Sequence, residues 1–207
     1  MDPVAQAIQR THRHWYVDGL AEIATGCLFL LLGLLFFAEA QAPKGSVVRR
    51  FTAIALPVTL IGGYWIAQRS VKAIKARLTY PRAGYVAYAR PTRRHHALGA
   101  TIALAMGAIV AAVWVRAPAS LDWVPLIQGV AAALLLGFAG HQAGLVRFYA
   151  LAVLSCAAGA VLARARLNLS VADAIYFPLV GAALMVSGGL ALARFLRQAP
   201  PAVEEQP

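Results

Sequence analysis

The sequence predicts an all-α protein, a polytopic membrane bundle of six transmembrane helices with short interfacial helices at its ends. Three observations lead there. Apolar runs fill positions 20–38, 51–67, 97–115, 124–140, 148–163 and 174–193. The charged residues fall almost wholly between these runs. They make up only 13% of a chain that is 60% hydrophobic, with mean hydropathy +0.66. A run of roughly 17–25 apolar residues matches a hydrocarbon core about 30 Å thick, and backbone inside lipid must satisfy its own hydrogen bonds, so each run reads as a helix. A soluble domain of ordinary composition is excluded. One membrane domain, 1–197, accounts for the chain, followed by a tail at 198–207 with three Pro, Glu204, Glu205 and almost nothing to bury, which is expected to be disordered.

The charge distribution supplies an orientation. Lys and Arg number 19 against 8 Asp and Glu. With a cytosolic N-terminus and six spans, 13 basic residues fall inside: Arg10, Arg13, Arg69, Lys72, Lys75, Arg77, Arg82, Arg90, Arg93, Arg94, Arg147, Arg194 and Arg197. The outer segments hold 6: Lys44, Arg49, Arg50, Arg116, Arg164 and Arg166. The positive-inside rule then places both termini in the cytosol. The loop 68–96 carries 8 of the 13 and has no recognisable nucleic-acid module, so its charge is read as topology and as affinity for anionic inner-leaflet lipid.

Asp2-Pro3 is a helix-start pair, and Val4, Ile8 and Trp15 recur on roughly one face, which predicts an interfacial helix with Trp15 and Tyr16 at headgroup level. Ala38-Glu39-Ala40 and Ala40-Gln41-Ala42 resemble signal cleavage sites, but the apolar run before them is long and is preceded by Asp18 and Glu22, so it is read as a retained first span. The second span holds Pro57 and Gly62-Gly63, both able to bend it, and ends at Tyr64-Trp65. Beyond it Val71, Ile74 and Leu78 recur at helical spacing among Arg69, Lys72, Lys75 and Arg77, predicting a helix along the anionic leaflet that stops at Tyr80-Pro81.

The third and fourth spans carry small residues every four positions: Gly99, Ala103, Gly107 and Ala111, then Gly129, Ala133 and Gly137, with His141 at the end of that strip. Such strips let helix backbones approach closely in lipid, and the short outer connection makes these two spans an expected antiparallel hairpin. Ala152-Cys156-Ala160 and Ala183-Ser187-Ala191 form weaker versions. A homo-oligomer is compatible with the same pattern. Cys27 and Cys156 lie within apolar runs and imply no disulfide framework.

The chain has no HExxH, no GxSxG, no phosphate-binding glycine loop and no paired intramembrane Asp, so a non-enzymatic protein without a cofactor is expected. His12, His14, His95, His96 and His141 gather on one predicted side, but they are flanked by Arg and complete no ligand spacing, so no metal is expected. Gln128, Thr59, Thr101, Ser155 and Ser187 are the polar groups at membrane depth, and each can hydrogen-bond a neighbouring helix. Asp18 and Glu22, four residues apart at the start of the first span, either stabilise the helix N-terminus or clasp the basic loop. The clasp brings Asp18 or Glu22 to Arg82 and makes an interaction face of Asp18, Glu22, Arg77, Tyr80, Arg82 and Tyr85.

Two segments carry a resemblance. Tyr16-Val17-Asp18-Gly19-Leu20-Ala21-Glu22, with Gly26, and Arg77-Leu78-Thr79-Tyr80-Pro81-Arg82-Ala83-Gly84-Tyr85-Val86 resemble the paired signatures of a family of small uncharacterised bacterial integral-membrane proteins, over roughly residues 15–88. Ala83 stands where that pattern more often has Thr. The resemblance implies an inner-membrane location and an important inner face, and no activity. The resulting expectation is a docking or regulatory module that meets a protein partner or anionic lipid, with a small-solute channel or carrier as the alternative.

Overall fold

The computed structural model is all-helical and describes residues 16, 18–43, 45–78 and 122–198. Five helices follow in order: α1 Leu20–Gln41, α2 Val47–Leu78, α3 Val124–Ala143, α4 Val146–Ala165 and α5 Leu169–Gln198. All five are long and apolar enough to cross a membrane. The expected span at 97–115 and the interfacial helix at 2–15 lie outside the described residues, as do Tyr80, Arg82, Tyr85 and the strip Gly99, Ala103, Gly107, Ala111.

Each helix runs past the apolar run that announced it, because local caps rather than hydropathy set its ends. The Ser46 hydroxyl accepts from the Arg49 N–H and starts α2 four residues ahead of its apolar run. Pro125 occupies the first turn of α3, where its missing N–H costs nothing. Gly144, at φ 64°, closes α3 while the Leu145 N–H donates to the Gly140 carbonyl, and α4 begins at Val146. Arg147 therefore sits in the first turn of α4 instead of in a loop.

The helix α2 corrects one expectation. It passes through Pro57 and Gly62-Gly63 to Leu78 without a break, so residues 68–78 continue the span instead of forming a separate helix or loop. Near its end it buries Val71 and Lys75, while Ile74 is 40% exposed. At 1.5 Å per residue such a helix is about 48 Å long, beyond the ~30 Å core, so it must tilt or project.

The chain doubles back between α1 and α2, between α3 and α4 and between α4 and α5, and α1 lies antiparallel against α5 in the most extensive contact among the described helices. The contact is backbone to backbone. A Cβ added to Gly26 would lie 2.7 Å from the Gly181 carbonyl oxygen, and one on Gly188 2.6 Å from the Gly19 carbonyl oxygen. Gly33 makes room for the Pro178 ring, whose Cγ would be 2.3 Å from an added Cβ. Close glycine contact replaces the hydrophobic driving force that lipid cannot supply.

These glycines recur every seven residues, at 19, 26 and 33 in α1 and at 181 and 188 in α5. Seven residues fall only about 20° short of two full turns, so they keep one face for a long distance. Four residues overshoot one turn by about 40°. Gly129 packs on Gly159 of α4, each added Cβ lying 3.0 Å from the other's Cα, and no described residue stands within 4 Å of a Cβ on Gly137, whose expected partner strip Gly99, Ala103, Gly107 and Ala111 lies outside the described residues. Ala133, between them, is half-buried.

The apolar core lies among α3, α4 and α5, centred on Phe148, Leu151, Leu162, Tyr176, Val180 and Leu184. One polar tie runs through it. The Ser155 hydroxyl donates to the Gly129 carbonyl at 3.2 Å and shares a 2.7 Å hydrogen bond with the Tyr176 hydroxyl. Ser155 and Ser187 thus do what intramembrane hydroxyls usually do, satisfying themselves on a neighbouring helix.

Candidate functional site

The antiparallel order brings the start of α1, the end of α2, the start of α4 and the end of α5 to one end of the bundle. Charged side chains meet there because each helix places its interfacial residues at the same level. Asp18 precedes α1 and uses both carboxylate oxygens. Its Oδ1 accepts from the Leu20 N–H at 3.2 Å, and its Oδ2 lies 3.0 Å from Lys75 Nζ. Both side chains are buried, at 1% and 0% exposure. Asp18 thus stabilises the start of α1 and meets Lys75 of α2, while Arg82, the expected partner of the clasp, lies outside the described residues.

Glu22 lies one turn deeper and is 2% exposed. Its Oε2 accepts from the Ser187 hydroxyl of α5 at 2.7 Å, and its Oε1 lies 2.6 Å from Arg147 Nη2 of α4. That ion pair is close but poorly aligned for a hydrogen bond, leaving Oε1 and Arg147 Nε without hydrogen-bond partners among the described residues. Arg147 Nη2 also donates to the Tyr16 carbonyl, and the guanidinium stands over the Phe148 ring, 5.6 Å from its centroid. The Tyr16 ring meets Phe148 edge-on at 5.3 Å, so this tyrosine packs into the end of the bundle. Burial, with the charges of Tyr64 and Glu22 behind it, raises the Tyr16 phenol above its ordinary value and keeps it neutral.

Two carboxylates on one face of α1 thus bind three other helices: Asp18 fastens α2, and Glu22 fastens α4 and α5. A buried ion pair contributes little net stability against a well-packed apolar replacement, but removing one partner strands a charge. The arrangement fixes which helix ends lie together. Among the described residues no three His, Cys, Asp or Glu gather around a common point.

Sequence reasoning singled out Asp18 and Glu22, and the structure places both at this junction. Arg77 belongs to the final turn of α2, while Tyr80, Arg82 and Tyr85 lie outside the described residues. Lys75, Arg147 and Ser187 escaped notice as members of the site. A signal existed for Arg147, a lone charge between Leu145-Val146 and Phe148 in a turn too short to solvate it. His141 is exposed near the end of α3.

The opposite end holds a second polar group. Glu39 faces Arg49 at 3.7 Å across the α1–α2 turn, partly exposed. Asp173 in the first turns of α5 is 6% exposed, with the Gln128 side chain hydrogen-bonded to its carboxylate and its Oδ1 without a partner among the described residues.

A cleft of about 250 Å³ opens beside the Glu22 junction, between Arg147 and the C-terminal part of α5. Its polar wall is Arg147, Ser187, Arg194 and Gln198. Comparison with known proteins adds nothing to this geometry: no family model, no curated protein and no solved structure matches the chain.

Proposed function

We propose that the protein is a non-enzymatic docking or regulatory module of the bacterial inner membrane, a six-helix bundle in which 97–115 supplies the sixth span. Both termini face the cytosol, and the basic end presents itself to a protein partner or to anionic inner-leaflet lipid. The motif resemblance over residues 15–88 favours the same location. One observation carries the reading: charged side chains from four helix ends converge at one end, two pairs neutralise each other inside, and Arg69, Lys72, Arg194 and Arg197 remain exposed around them. Buried pairs of this kind hold an end in register, and exposed basic residues give it affinity for an anionic surface.

The small-solute channel or carrier is the second reading. It requires a continuous polar path, yet between the two charged ends α1 and α5 meet through Gly26 and Gly181, backbone against backbone. A photo-crosslinking amino acid at position 197 tests the docking reading in native membranes. It should give discrete protein or lipid adducts that the same probe at position 166 does not. Equal adduct patterns at both positions, together with solute flux through the purified protein in liposomes, would favour the channel.

A further inference from the structure

The cleft at the basic end has a ligand chemistry of its own. Ser187, Ala191, Arg194 and Gln198 follow at three- and four-residue steps along α5 and so share one face, toward Arg147 on α4. Leu190 and Phe195 flank that face, Leu190 being 57% exposed. The charges do not cancel. Glu22 offsets Arg147 and accepts a hydrogen bond from the Ser187 hydroxyl, but Arg194 has no ion-pair partner among the described residues. What lines the opening is the Arg194 guanidinium, the Gln198 amide and the partly exposed guanidinium of Arg147, whose Nε is itself buried.

This combination of surplus positive charge, several N–H donors and an exposed apolar rim suits an anion that carries acceptor oxygens and a hydrocarbon chain. Guanidinium groups on two helices fit the tetrahedral oxygens of a phosphate better than a single carboxylate plane. The cleft lies where α4 begins and α5 ends, the level at which a bilayer supplies phosphodiesters. We propose that it binds the phosphate-bearing headgroup of an anionic phospholipid. Arg194 supplies the main charge, Gln198 and Arg147 supply further donors, and the first acyl carbons rest on Leu190 and Phe195. The proposal rests on the reading that this end is the headgroup-facing docking end.

Native mass spectrometry of the purified full-length protein, equilibrated with phosphatidylglycerol and phosphatidylcholine at equal mole fraction, tests it. Phosphatidylglycerol should be retained in preference by about fivefold or more, the scale of one well-placed surface charge. Arg194→Gln should reduce that retention about fivefold, whereas Arg197→Gln, an equal change in charge one turn away and outside the cleft, should leave it within about twofold. Gln198→Leu preserves charge and should reduce retention by a smaller factor. Equal losses in the two arginine variants, or none in Arg194→Gln, would overturn the cleft. Displacement of the bound lipid by millimolar glycerol phosphate would assign the site to a soluble anion and overturn the lipid source. Crosslinks at position 197 that persist while the arginine variants behave alike would remove the cleft and leave the docking reading standing. Loss of both the crosslinks and the lipid preference in the unaltered protein would remove both.

Discussion

The Ser187 hydroxyl donates to Glu22 Oε2 at 2.7 Å, immediately beside Gly188, where an added Cβ would lie 2.9 Å from the Glu22 Cβ. The glycine contact sets α1 and α5 so close that a short serine reaches the carboxylate directly. Packing and polarity are therefore one feature at this level, and each can be varied separately.

The Glu22 junction should respond asymmetrically to substitution. Glu22→Ala leaves the Arg147 guanidinium inside without its carboxylate and should cost about 3–5 kcal/mol, whereas Ser187→Ala should cost about 1 kcal/mol. The double variant Glu22→Gln with Arg147→Met should recover most of the loss, because no unpaired charge remains. Unfolding of the purified protein in mixed micelles gives all three values.

The Asp18–Lys75 contact predicts a coupling. Lys75→Met and Asp18→Asn should each destabilise, and the double variant should be less damaged than the sum, by more than about 1 kcal/mol. The expected Arg82 clasp enters the same experiment, since an independent Arg82 partnership would appear as a separate coupling between Asp18→Asn and Arg82→Gln. Additive effects of the Asp18 and Lys75 substitutions would show that the 3.0 Å contact has no energetic role.

Glycine substitutions should rank by what an added side chain meets. Gly26→Leu would drive atoms into Met185 Cγ and the Gly181 carbonyl, at 2.6 and 2.7 Å from the first added carbon, and should prevent α1 and α5 from closing. Gly137→Leu meets no described residue within 4 Å of its first added carbon and should cost less than Gly26→Leu. The yield of folded, detergent-extracted protein distinguishes them.

The Ser155–Tyr176 bond offers a milder change inside the core. Tyr176→Phe keeps the ring that fills the space and leaves Ser155 its bond to the Gly129 carbonyl, so the loss should be about 0.6 kcal/mol. Ser155→Ala removes both bonds and should cost more, read in the same unfolding assay.

The apolar runs made the described spans legible, because length and hydropathy report directly on a bilayer. Their ends were not legible in the same way. Ser46, Gly144 and the Asp18–Lys75 pair extend or stop helices through local hydrogen bonds and charge, which a hydropathy window averages away. Lys75 illustrates the point: periodicity assigned it to a solvated face, but its partner is an acid fifty-seven positions earlier, and no local pattern records that. The seven-residue recurrence of Gly19, Gly26 and Gly33 was present in the sequence but was hidden behind the four-residue strips. Asp18 and Glu22 stood out because two acids at the start of an apolar run need partners. Which basic residues answer them is a tertiary property.

The central claim is that the end built from Asp18, Glu22, Lys75 and Arg147 is the cytosolic working end. In a background of Cys27→Ala and Cys156→Ala, single cysteines at positions 197 and 166 report on the two ends of the bundle. A membrane-impermeant maleimide added to intact spheroplasts should label position 166 and should reach position 197 only after permeabilisation. Labelling of position 197 from outside, with position 166 protected, would contradict the account.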